Sequence, residues 1–406
     1  MKFVLYSLNH APELTGIGKY NGELIEALSL MGVESHVITA PPYYPEWKRH
    51  FGYKNWWTKE QSGHNHYIYR CPLFVPKNVT TFKRIIHLFT FSISSSLRLL
   101  TLLRLKPDVL FLVQPTLFCA PAALIYCKIT GAKSIMHIQD FELDAMFGLG
   151  MVGNSWIKRA VSYMESWLMK HFDIVSSISF SMLENAKKKG VNEEQLLFFP
   201  NWADTEFVTS DVSGDQLRRK WGFTEEEQIV LYAGNIGKKQ GLEIVLDAAK
   251  RLESRAEIKF LIVGSGAYSK TIQEVALKMG ISNIIFKPIQ PWELVPQILA
   301  MADVHLVVQR RGAADAVLPS KLTNILSAGG HALVTADAKT ELGKISDEFP
   351  GIYWRVEPEN IEAFIGGIVY LLEKSTRNSN KVARKYAVEN LNRDSVIERF
   401  VSDIKR

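Results

Sequence analysis

The stretch Tyr232-Ala-Gly-Asn-Ile-Gly-Lys-Lys-Gln-Gly-Leu242 contains three glycines and two adjacent lysines. An apolar run at 229–231 precedes it, and apolar residues at helical spacing follow over 242–252. This order predicts a β-strand, a tight turn and an α-helix. Backbone N–H groups at such a turn can approach an anion closely, and lysine adds mobile positive charge. The turn indicates either a diphosphate-binding loop or an ordinary strand-to-helix turn with solvated lysines. It matches neither the P-loop pattern nor the GxGxxG fingerprint.

The same alternation of apolar runs and helical patterns extends over the whole chain, which predicts an α/β fold with parallel sheets. Because 406 residues are too many for one hydrophobic core, two successive patterns predict two Rossmann-like domains that face a central cleft. With a polar linker at 209–215, we expect an N-terminal domain at 1–208 and a C-terminal domain at 209–380. A last helix, 381–406, is expected to pack back on the N-terminal domain. The predicted strands are 3–6, 33–39, 109–113, 134–138, 174–178, 229–232, 258–263, 284–286, 304–308 and 332–334.

Composition narrows the class of protein further. The formal charge of +6 suits an anionic membrane surface or phosphorylated ligands and does not indicate a nucleic-acid partner. Cys71, Cys119 and Cys127 are odd in number and lack CxxC spacing, which favours buried, reduced thiols. The N-terminus enters a strand pattern directly, and no stretch reaches the roughly 18 apolar residues of a membrane span. These features predict a cytoplasmic protein.

The segment 82–105 mixes many large apolar residues with basic residues, among them Lys83, Arg84, Arg98 and Arg104. It could be a basic amphipathic helix in a membrane interface or a long core helix with basic ends. Anionic lipid suits the charge pattern, so we favour contact with an anionic membrane surface. The expected location is then peripheral, at the inner face of the cell membrane.

The order of motifs resembles one enzyme family over essentially the whole chain. A Gly-rich loop near the N-terminus is followed by Pro200-Asn-Trp-Ala-Asp204, the Gly-Asn-Ile turn, Val263-Gly-Ser-Gly266 and a late Ser-Lys helix start. This order resembles the GT-B nucleotide-sugar glycosyltransferases of the GT4 type. Three longer strings are similar to the colanic-acid fucosyltransferase (WcaI-like) group: Pro12-Glu-Leu-Thr-Gly-Ile-Gly-Lys-Tyr20, Thr39-Ala-Pro-Pro-Tyr-Tyr-Pro-Glu-Trp47 and Leu318-Pro-Ser-Lys-Leu-Thr-Asn324.

The resemblance implies a retaining glycosyltransferase, with an acceptor-binding domain at 1–208 and a nucleotide-sugar-binding domain at 209–380. It would move fucose or a related deoxysugar from a nucleoside-diphosphate donor, with GDP-fucose favoured, to a polyprenyl-diphosphate-linked glycan in exopolysaccharide, capsule or O-antigen biosynthesis. No cofactor and no metal are expected, because lysine, arginine and helix N-termini replace the ion in GT-B enzymes. The sequence has no Asp-x-Asp motif, although Asp140-Phe-Glu142 is a near match. A sugar-nucleotide epimerase of GT-B form and a nucleotide-binding protein without catalysis remain alternatives.

Transfer from a nucleotide sugar develops negative charge on the diphosphate, which preorganised donors must stabilise. Lysines of the opening turn are one source of charge. Pro319-Ser320-Lys321 is a second, because proline, a serine cap and free N–H groups can begin a helix there, although a capped core helix is the alternative. Arg310 could pair with phosphate or be solvated together with Arg311. The predicted donor site comprises Gly16, Gly18, Gly234, Asn235, Lys238, Lys239, Gly264, Arg310, Ser320, Lys321 and Asn324.

Two segments of the N-terminal half complete the predicted site. Thr15-Gly-Ile-Gly18 lies between a strand and a helix whose N-terminus would point toward a donor or acceptor phosphate, or it is a simple turn. In the segment 137–142, Asp140 or Glu142 could orient or deprotonate the acceptor hydroxyl, and His137 could contact the sugar. A core histidine with surface carboxylates is the alternative. Retention, which the resemblance implies, lets the leaving phosphate help to take the proton, so a carboxylate base is not strictly required.

The chain departs from the wider family in two places. Asn235 and Gln240 occupy the positions of the usual arginine and lysine in the first turn, so a neighbouring lysine must carry the charge. Ala316 and Asn324 occupy the positions of the usual glutamate pair, with Asp315 adjacent. Asn324 can still hydrogen-bond a ribose hydroxyl.

Aromatic residues cluster between the second and third predicted strands. They can stack on sugar rings, lie at a lipid interface or form a satellite core beneath a long loop. The cluster comprises Tyr43, Tyr44, Trp47, Trp56 and Trp57.

Overall fold

The computed structural model describes residues 1–13, 16–62, 65–78, 80–115, 117–141, 155–311, 319–374 and 378–405. They form two compact units, Met1–Phe199 and Pro200–Arg406. Each unit is built on its own largely parallel sheet with helices, so the predicted α/β class is confirmed. The boundary between the units lies a few residues before the one expected from the sequence, and the polar stretch 209–215 belongs to the second unit.

In the first unit, the described strands form a sheet in the order β3-β4-β2-β1-β5-β6-β7-β8. All neighbours are parallel except β3 and β4. The strand β5 is buried along its whole length, as expected for a strand covered by helices on both faces. The strands are β1 Lys2–Tyr6, β2 Glu34–Thr39, β3 Thr58–Ser62, β4 His66–Arg70, β5 Val109–Gln114, β6 Lys133–Ile138, β7 Ile174–Ser177 and β8 Leu196–Phe198. The helices are α1 Gly16–Leu30, α2 Thr81–Thr101, α3 Ala120–Thr130, α4 Ser155–Lys170 and α5 Phe180–Lys188.

In the second unit, the described strands are all parallel, in the order β11-β10-β9-β12-β13-β14. The strands are β9 Gln228–Ala233, β10 Ile258–Val263, β11 Ile284–Lys287, β12 Val304–Val307, β13 Ala332–Thr335 and β14 Trp354–Val356. The helices are α6 Asp215–Lys220, α7 Glu243–Arg251, α8 Ser269–Lys278, α9 Val295–Ala300, α10 Ser320–Ser327, α11 Glu341–Glu348, α12 Ile361–Lys374, α13 Lys381–Asn390 and α14 Arg393–Lys405.

Strand β9 fixes the position of the opening turn. Its alternate residues face opposite sides of the sheet: Ile229 and Leu231 pack with α10, and Val230 and Tyr232 pack with α7. The strand order reverses at β9, between β10 and β12. In open α/β sheets, ligands bind beyond the carboxyl ends of the strands at such a point. The Gly-rich turn leaves β9 at this end.

The C-terminal segment contains two helices, α13 and α14, where the sequence analysis predicted one. Asn392 separates them, because its Oδ1 accepts a hydrogen bond from Ser395 N at 3.0 Å and so caps α14. Its Nδ2 donates to Thr205 Oγ1 at 2.7 Å, which ties the break to the start of the second unit. Ala383 and Ala387 of α13 lie in the core of the same unit. Packing of 381–406 on the N-terminal domain stays a prediction.

The three cysteines are buried and form no disulfide, as predicted. Across the described ranges, no helix has both the length and the apolar character needed to cross a bilayer.

Candidate active site

The turn after β9 touches the turn after β10 through the backbone. Gly234 N donates to Val263 O, and Ile236 N donates to Ser265 O, both at 2.9 Å. Gly264 has a φ of +156°, and a Cβ added to it would lie 1.9 Å from the carbonyl oxygen of Gly234. Glycine is therefore required at 264 both by backbone conformation and by space.

The lysine pair lies in a short 3₁₀ turn, Lys238–Gln240. Both Lys238 and Lys239 are exposed. Gln240 Oε1 accepts a hydrogen bond from Gly237 N at 3.1 Å, so this side chain closes the turn. The neutral residue at 240 therefore shapes the loop and leaves its charge to the two lysines.

Lys321 lies beside this turn, in the first turn of α10. Its Nζ is buried and has no hydrogen-bond partner among the described residues. It lies 3.8 Å from the centroid of the Tyr232 ring, and a Cβ added to Gly234 would lie 3.5 Å from it. Burial, and secondarily the charge of Lys239, lowers the pKa of Lys321 to about 7. A buried cation over an aromatic ring, beside a second cation, is an arrangement that an anionic ligand would complete.

The start of α10 differs from the predicted serine cap. Pro319 is the N-cap residue and makes no side-chain cap, and Ser320 is the first helical residue. Proline precedes the helix because its extended backbone needs no N–H donor there. Asn324, one turn further along, is half-buried, and its ribose contact stays a prediction. Asp315 and Ala316 lie outside the described residues.

Arg310 is partly exposed and has an acidic partner. Its guanidinium donates to Glu243 Oε1 at 2.9 Å, and the same oxygen accepts from Tyr268 Oη at 2.9 Å. Burial would raise the pKa of Glu243, but its hydrogen bonds and the nearby arginine bring that pKa below its usual value. Arg311 pairs with Asp337 at 3.1 Å. The network orients Arg310, and a phosphate contact by it stays a prediction.

In the first unit, Gly16 begins α1 with a φ of +59°. A Cβ on Gly18 would lie 2.6 Å from Cβ of Glu13, so this glycine has a packing role. Glu13 is buried, and burial raises its pKa. Lys19 pairs with Glu23 along the helix at 3.0 Å. A phosphate at the start of α1 would share the site with the Glu13 carboxyl group, and the predicted donor contacts of both glycines stay predictions.

His137 is a core histidine, the alternative that the sequence analysis left open. Gln139 Nε2 donates to His137 Nε2 at 2.9 Å, so the ring proton is on Nδ1, 2.9 Å from Ser176 Oγ. The ring stacks on Phe111, with centroids 5.1 Å apart. Complete burial lowers the pKa of His137 to about 3. The ring is buried and both nitrogens have partners, and the predicted sugar contact stays a prediction.

The two candidate carboxylates of the first unit are Asp140 and Glu142. Asp140 is exposed, just beyond the end of β6. It borders a small recess together with Gln114 and Glu165. Glu142 lies outside the described residues. The role of either one toward an acceptor hydroxyl stays a prediction.

Comparison with known proteins identifies the family. The model for glycosyl transferases group 1 matches residues 213–389, and that for a glycosyl transferase 4-like domain matches residues 15–202. The chain is 46% identical over 412 residues to WcaI of Escherichia coli (strain K12), which is named for a glycosyl transferase role in colanic acid biosynthesis, and 100% of both chains is covered. The chain belongs to the GT4-type glycosyltransferases.

Solved structures agree on the GT-B fold of this glycosyltransferase. Sucrose-phosphate synthase of Thermosynechococcus elongatus superimposes with a TM-score of 0.76 at 13% identity, over 100% of this chain and 98% of that one. HepE of Anabaena, in complex with UDP-glucose, gives a TM-score of 0.68 at 12% identity, over 100% and 99%. At such identities the likeness concerns the fold.

Three polar or aromatic residues of these sites were missed by sequence reasoning. Tyr232 was regarded only as part of a strand, although its ring supports Lys321. Glu243 is the acidic partner of Arg310, and Glu13 is the acidic residue beside Gly18. The one available signal was position, because Glu243 begins the helix after the opening turn and Glu13 lies within the loop similar to the family.

We expect nucleotide-sugar binding by the glycosyltransferase to weaken as pH rises from about 7 to about 9. In the free protein the pKa of Lys321 is about 7, and a bound anion favours the charged form, so binding above this pH takes up a proton. Affinity should then fall by up to about tenfold per pH unit. A nucleotide sugar is the right ligand, because its phosphates carry no group that titrates in this range.

Lys321 also makes the stability of the ligand-free protein depend on pH, with the opposite sign. Unfolded lysine holds its proton to about pH 10.4, so above pH 7 the unfolded chain binds more protons, and the ligand-free protein gains stability from this group as pH rises. Calorimetric titration of the wild type would show the fall in affinity with pH. Unfolding of the ligand-free proteins would show the positive slope of stability against pH in the wild type and its absence in Lys321→Met. An equal slope in both would assign the titration to another group.

Proposed function

We propose that this glycosyltransferase transfers fucose or a related deoxysugar from a nucleoside-diphosphate donor, GDP-fucose being favoured, to a polyprenyl-diphosphate-linked glycan. The product would be an exopolysaccharide, capsule or O-antigen precursor. The observation that carries the donor assignment is the buried Nζ of Lys321 beside the glycine turn, which has no hydrogen-bond partner among the residues that the structure describes. The nucleotide sugar in the HepE complex supports the class of donor, and the name of WcaI supports the pathway.

In the proposed step, the bond between the anomeric carbon and the donor phosphate breaks. The acceptor oxygen bonds to that carbon on the same face, which retains its configuration. The acceptor proton passes to the departing phosphate oxygen. Lys321 and Lys239 would stabilise the charge that grows on the diphosphate, since preorganised charge in a buried site acts most strongly there. Asp140 or Glu142 would orient the acceptor hydroxyl.

A donor panel tests this proposal. GDP-fucose is compared with other GDP-, UDP- and dTDP-sugars, first for binding and then for nucleotide release with a polyprenyl-diphosphate glycan. We expect one sugar nucleotide to bind best and to release its nucleoside diphosphate only when acceptor is present. An altered sugar still attached to its nucleotide would identify an epimerase. The absence of binding by every sugar nucleotide would refute the donor assignment.

We also propose that the enzyme associates peripherally with the inner face of the cell membrane through α2. One face of this helix packs inside the unit, as a core helix does, through His87, Leu88, Phe91 and Leu99. The opposite face is exposed and apolar, and exposed basic residues such as Arg104 and Lys106 follow it. Such a surface suits an anionic membrane interface. The exposed apolar residues are Phe82, Ile85, Phe89, Ile93, Leu97 and Leu100.

The variant Ile93→Glu/Leu97→Glu is expected to lose at least about tenfold in binding to phosphatidylglycerol vesicles. Both side chains are 50% exposed, so the change costs little in the fold, whereas each buried aliphatic side chain contributes roughly 1.5–3 kcal/mol in an apolar environment. Vesicle co-sedimentation measures the effect. Leu277→Glu/Ile289→Glu is the matched control, since both residues are exposed on the second unit. An equal loss of vesicle binding in the two double variants would show that α2 is not the membrane contact.

A further inference from the structure

Residues 46–54 enclose an open recess of about 740 Å³ in the first unit. Basic residues dominate its lining: Lys48, Arg49, His50 and Lys54. We propose that this recess binds the diphosphate group of the polyprenyl-diphosphate acceptor at the membrane surface. The inference rests on the proposed function, which supplies the class of acceptor.

The base of the recess is held by buried groups. Glu13 Oε1 accepts hydrogen bonds from the backbone N–H groups of Tyr43 and Tyr44, both at 2.9 Å. Beyond them, Lys48 N donates to Tyr43 O at 3.2 Å, and His50 N donates to Pro42 O at 2.9 Å. The loop therefore returns on itself at a fixed point, and its basic residues line one open recess.

Three cations of the recess have no acidic partner within the part of the chain that the structure describes. Lys48, Arg49 and Lys54 are exposed, and none of them forms an ion pair with any residue in the described ranges. The one acidic residue of the lining, Glu46, lies 3.4 Å from His50. Three unpaired cations around one space suit a ligand with several negative charges, and arginine can bind phosphate oxygens in pairs. A neutral glycan alone would not need them.

The position of the recess favours a lipid-bound diphosphate over a free one. The ring of Trp47 lies 5.2 Å from that of His87 on α2, and Tyr43 Oη lies 2.9 Å from His87 Nε2. The recess is thus attached to the helix that carries the exposed apolar face. Phe51 at its edge is fully exposed, and Trp56 is 65% exposed. A basic recess bordered by exposed apolar side chains matches a diphosphate that carries a hydrocarbon chain.

Vesicle binding by a charge-reversed variant tests the proposal. The full-length protein is titrated with neutral phosphatidylcholine vesicles that contain undecaprenyl diphosphate, undecaprenol, or phosphatidylglycerol at matched surface charge. The wild type is expected to bind the diphosphate vesicles at least tenfold more tightly than the undecaprenol vesicles. Lys48→Glu/Arg49→Glu/Lys54→Glu should lose this difference. The control Lys270→Glu/Lys278→Glu/Lys344→Glu, an identical charge change on exposed lysines of the second unit, should keep it.

Each contrary result has a definite meaning. Unchanged binding of the diphosphate vesicles by the triple variant would overturn the proposal. An equal loss on phosphatidylglycerol vesicles would reduce the recess to a general contact for anionic lipid and would also overturn it. Inorganic diphosphate that competes equally on all vesicles would assign the recess to a free anion instead. Arg49→Glu alone gives a milder variant with the same expected direction, should the triple variant not fold.

A failure of the proposed function is distinguished from a failure of the recess proposal by donor binding. Binding of nucleotide sugar belongs to the second unit, so the triple variant should keep wild-type donor affinity. A wild type that binds no sugar nucleotide would refute the proposed function, whatever the vesicles show. Normal donor binding with no diphosphate-dependent vesicle binding would refute the recess alone.

Discussion

Lys321→Met is expected to lower turnover by about 10²-fold or more, the usual effect of removing one preorganised donor from a reacting centre. The same change should stabilise the ligand-free protein by about 1–2 kcal/mol, because a buried charge without a partner is replaced by an apolar chain of similar length. The loss of turnover and the gain of stability follow from one observation: Nζ is buried over the Tyr232 ring with no hydrogen-bond partner in the described residues. Nucleotide release reports the first effect, and thermal unfolding without ligand reports the second.

Lys239→Met is the matched comparison for this prediction. Lys239 is exposed, so its replacement should leave the unfolding free energy nearly unchanged and reduce turnover by about tenfold at most. The stabilisation that a nucleotide sugar gives to the wild type should be lost in Lys321→Met and only reduced in Lys239→Met. Unchanged turnover in Lys321→Met would remove this lysine from the donor site.

Gly264→Ala should be the most damaging small substitution near the site. Its new Cβ would lie 1.9 Å from the carbonyl oxygen of Gly234, so the two turns must separate. We expect a loss of about 3–4 kcal/mol in the free energy of unfolding, from overpacking and backbone strain together. Nucleotide-sugar affinity should fall by at least about tenfold, because the displaced turn contacts Lys321. Denaturant titration and calorimetry measure the two quantities.

Gly280→Ala separates the effect of overpacking from that of backbone strain. Gly280 also has a positive φ, +60°, but a Cβ there meets nothing within 4 Å. Its replacement should cost only the conformational penalty, about 1–2 kcal/mol, with donor binding unchanged. If Gly264→Ala lowers the free energy of unfolding by no more than Gly280→Ala does, then the two turns do not approach each other as closely as described.

The sequence predicted well wherever a local pattern determines the structure. The apolar runs became the central strands of both sheets, and the opening turn lies where β9 ends. Strand β3 was missed because it lies at the sheet edge, so its residues, such as Lys59 and Glu60, are polar. Strand β8 has only three residues, too few to show a pattern.

Site residues were harder to predict because their roles depend on distant partners. Arg310 is oriented by Glu243, which lies 67 residues earlier in the chain. His137 is buried because β6 lies between β5 and β7, and nothing in its neighbouring sequence shows that the strand is covered. Lys321 stays a predicted donor-site residue, and the burial of its Nζ over Tyr232 depends on how α10 packs beside β9, which the local sequence does not show.

The contact between the turns after β9 and β10 also limits how this enzyme can be re-engineered. The two turns share backbone hydrogen bonds, so neither can be lengthened or exchanged without distorting the other. Replacing either turn by that of a relative therefore requires both turns to be transplanted as one cassette. Exposed side chains on the first turn, such as Asn235 and Lys238, are the positions that can be randomised alone in a library.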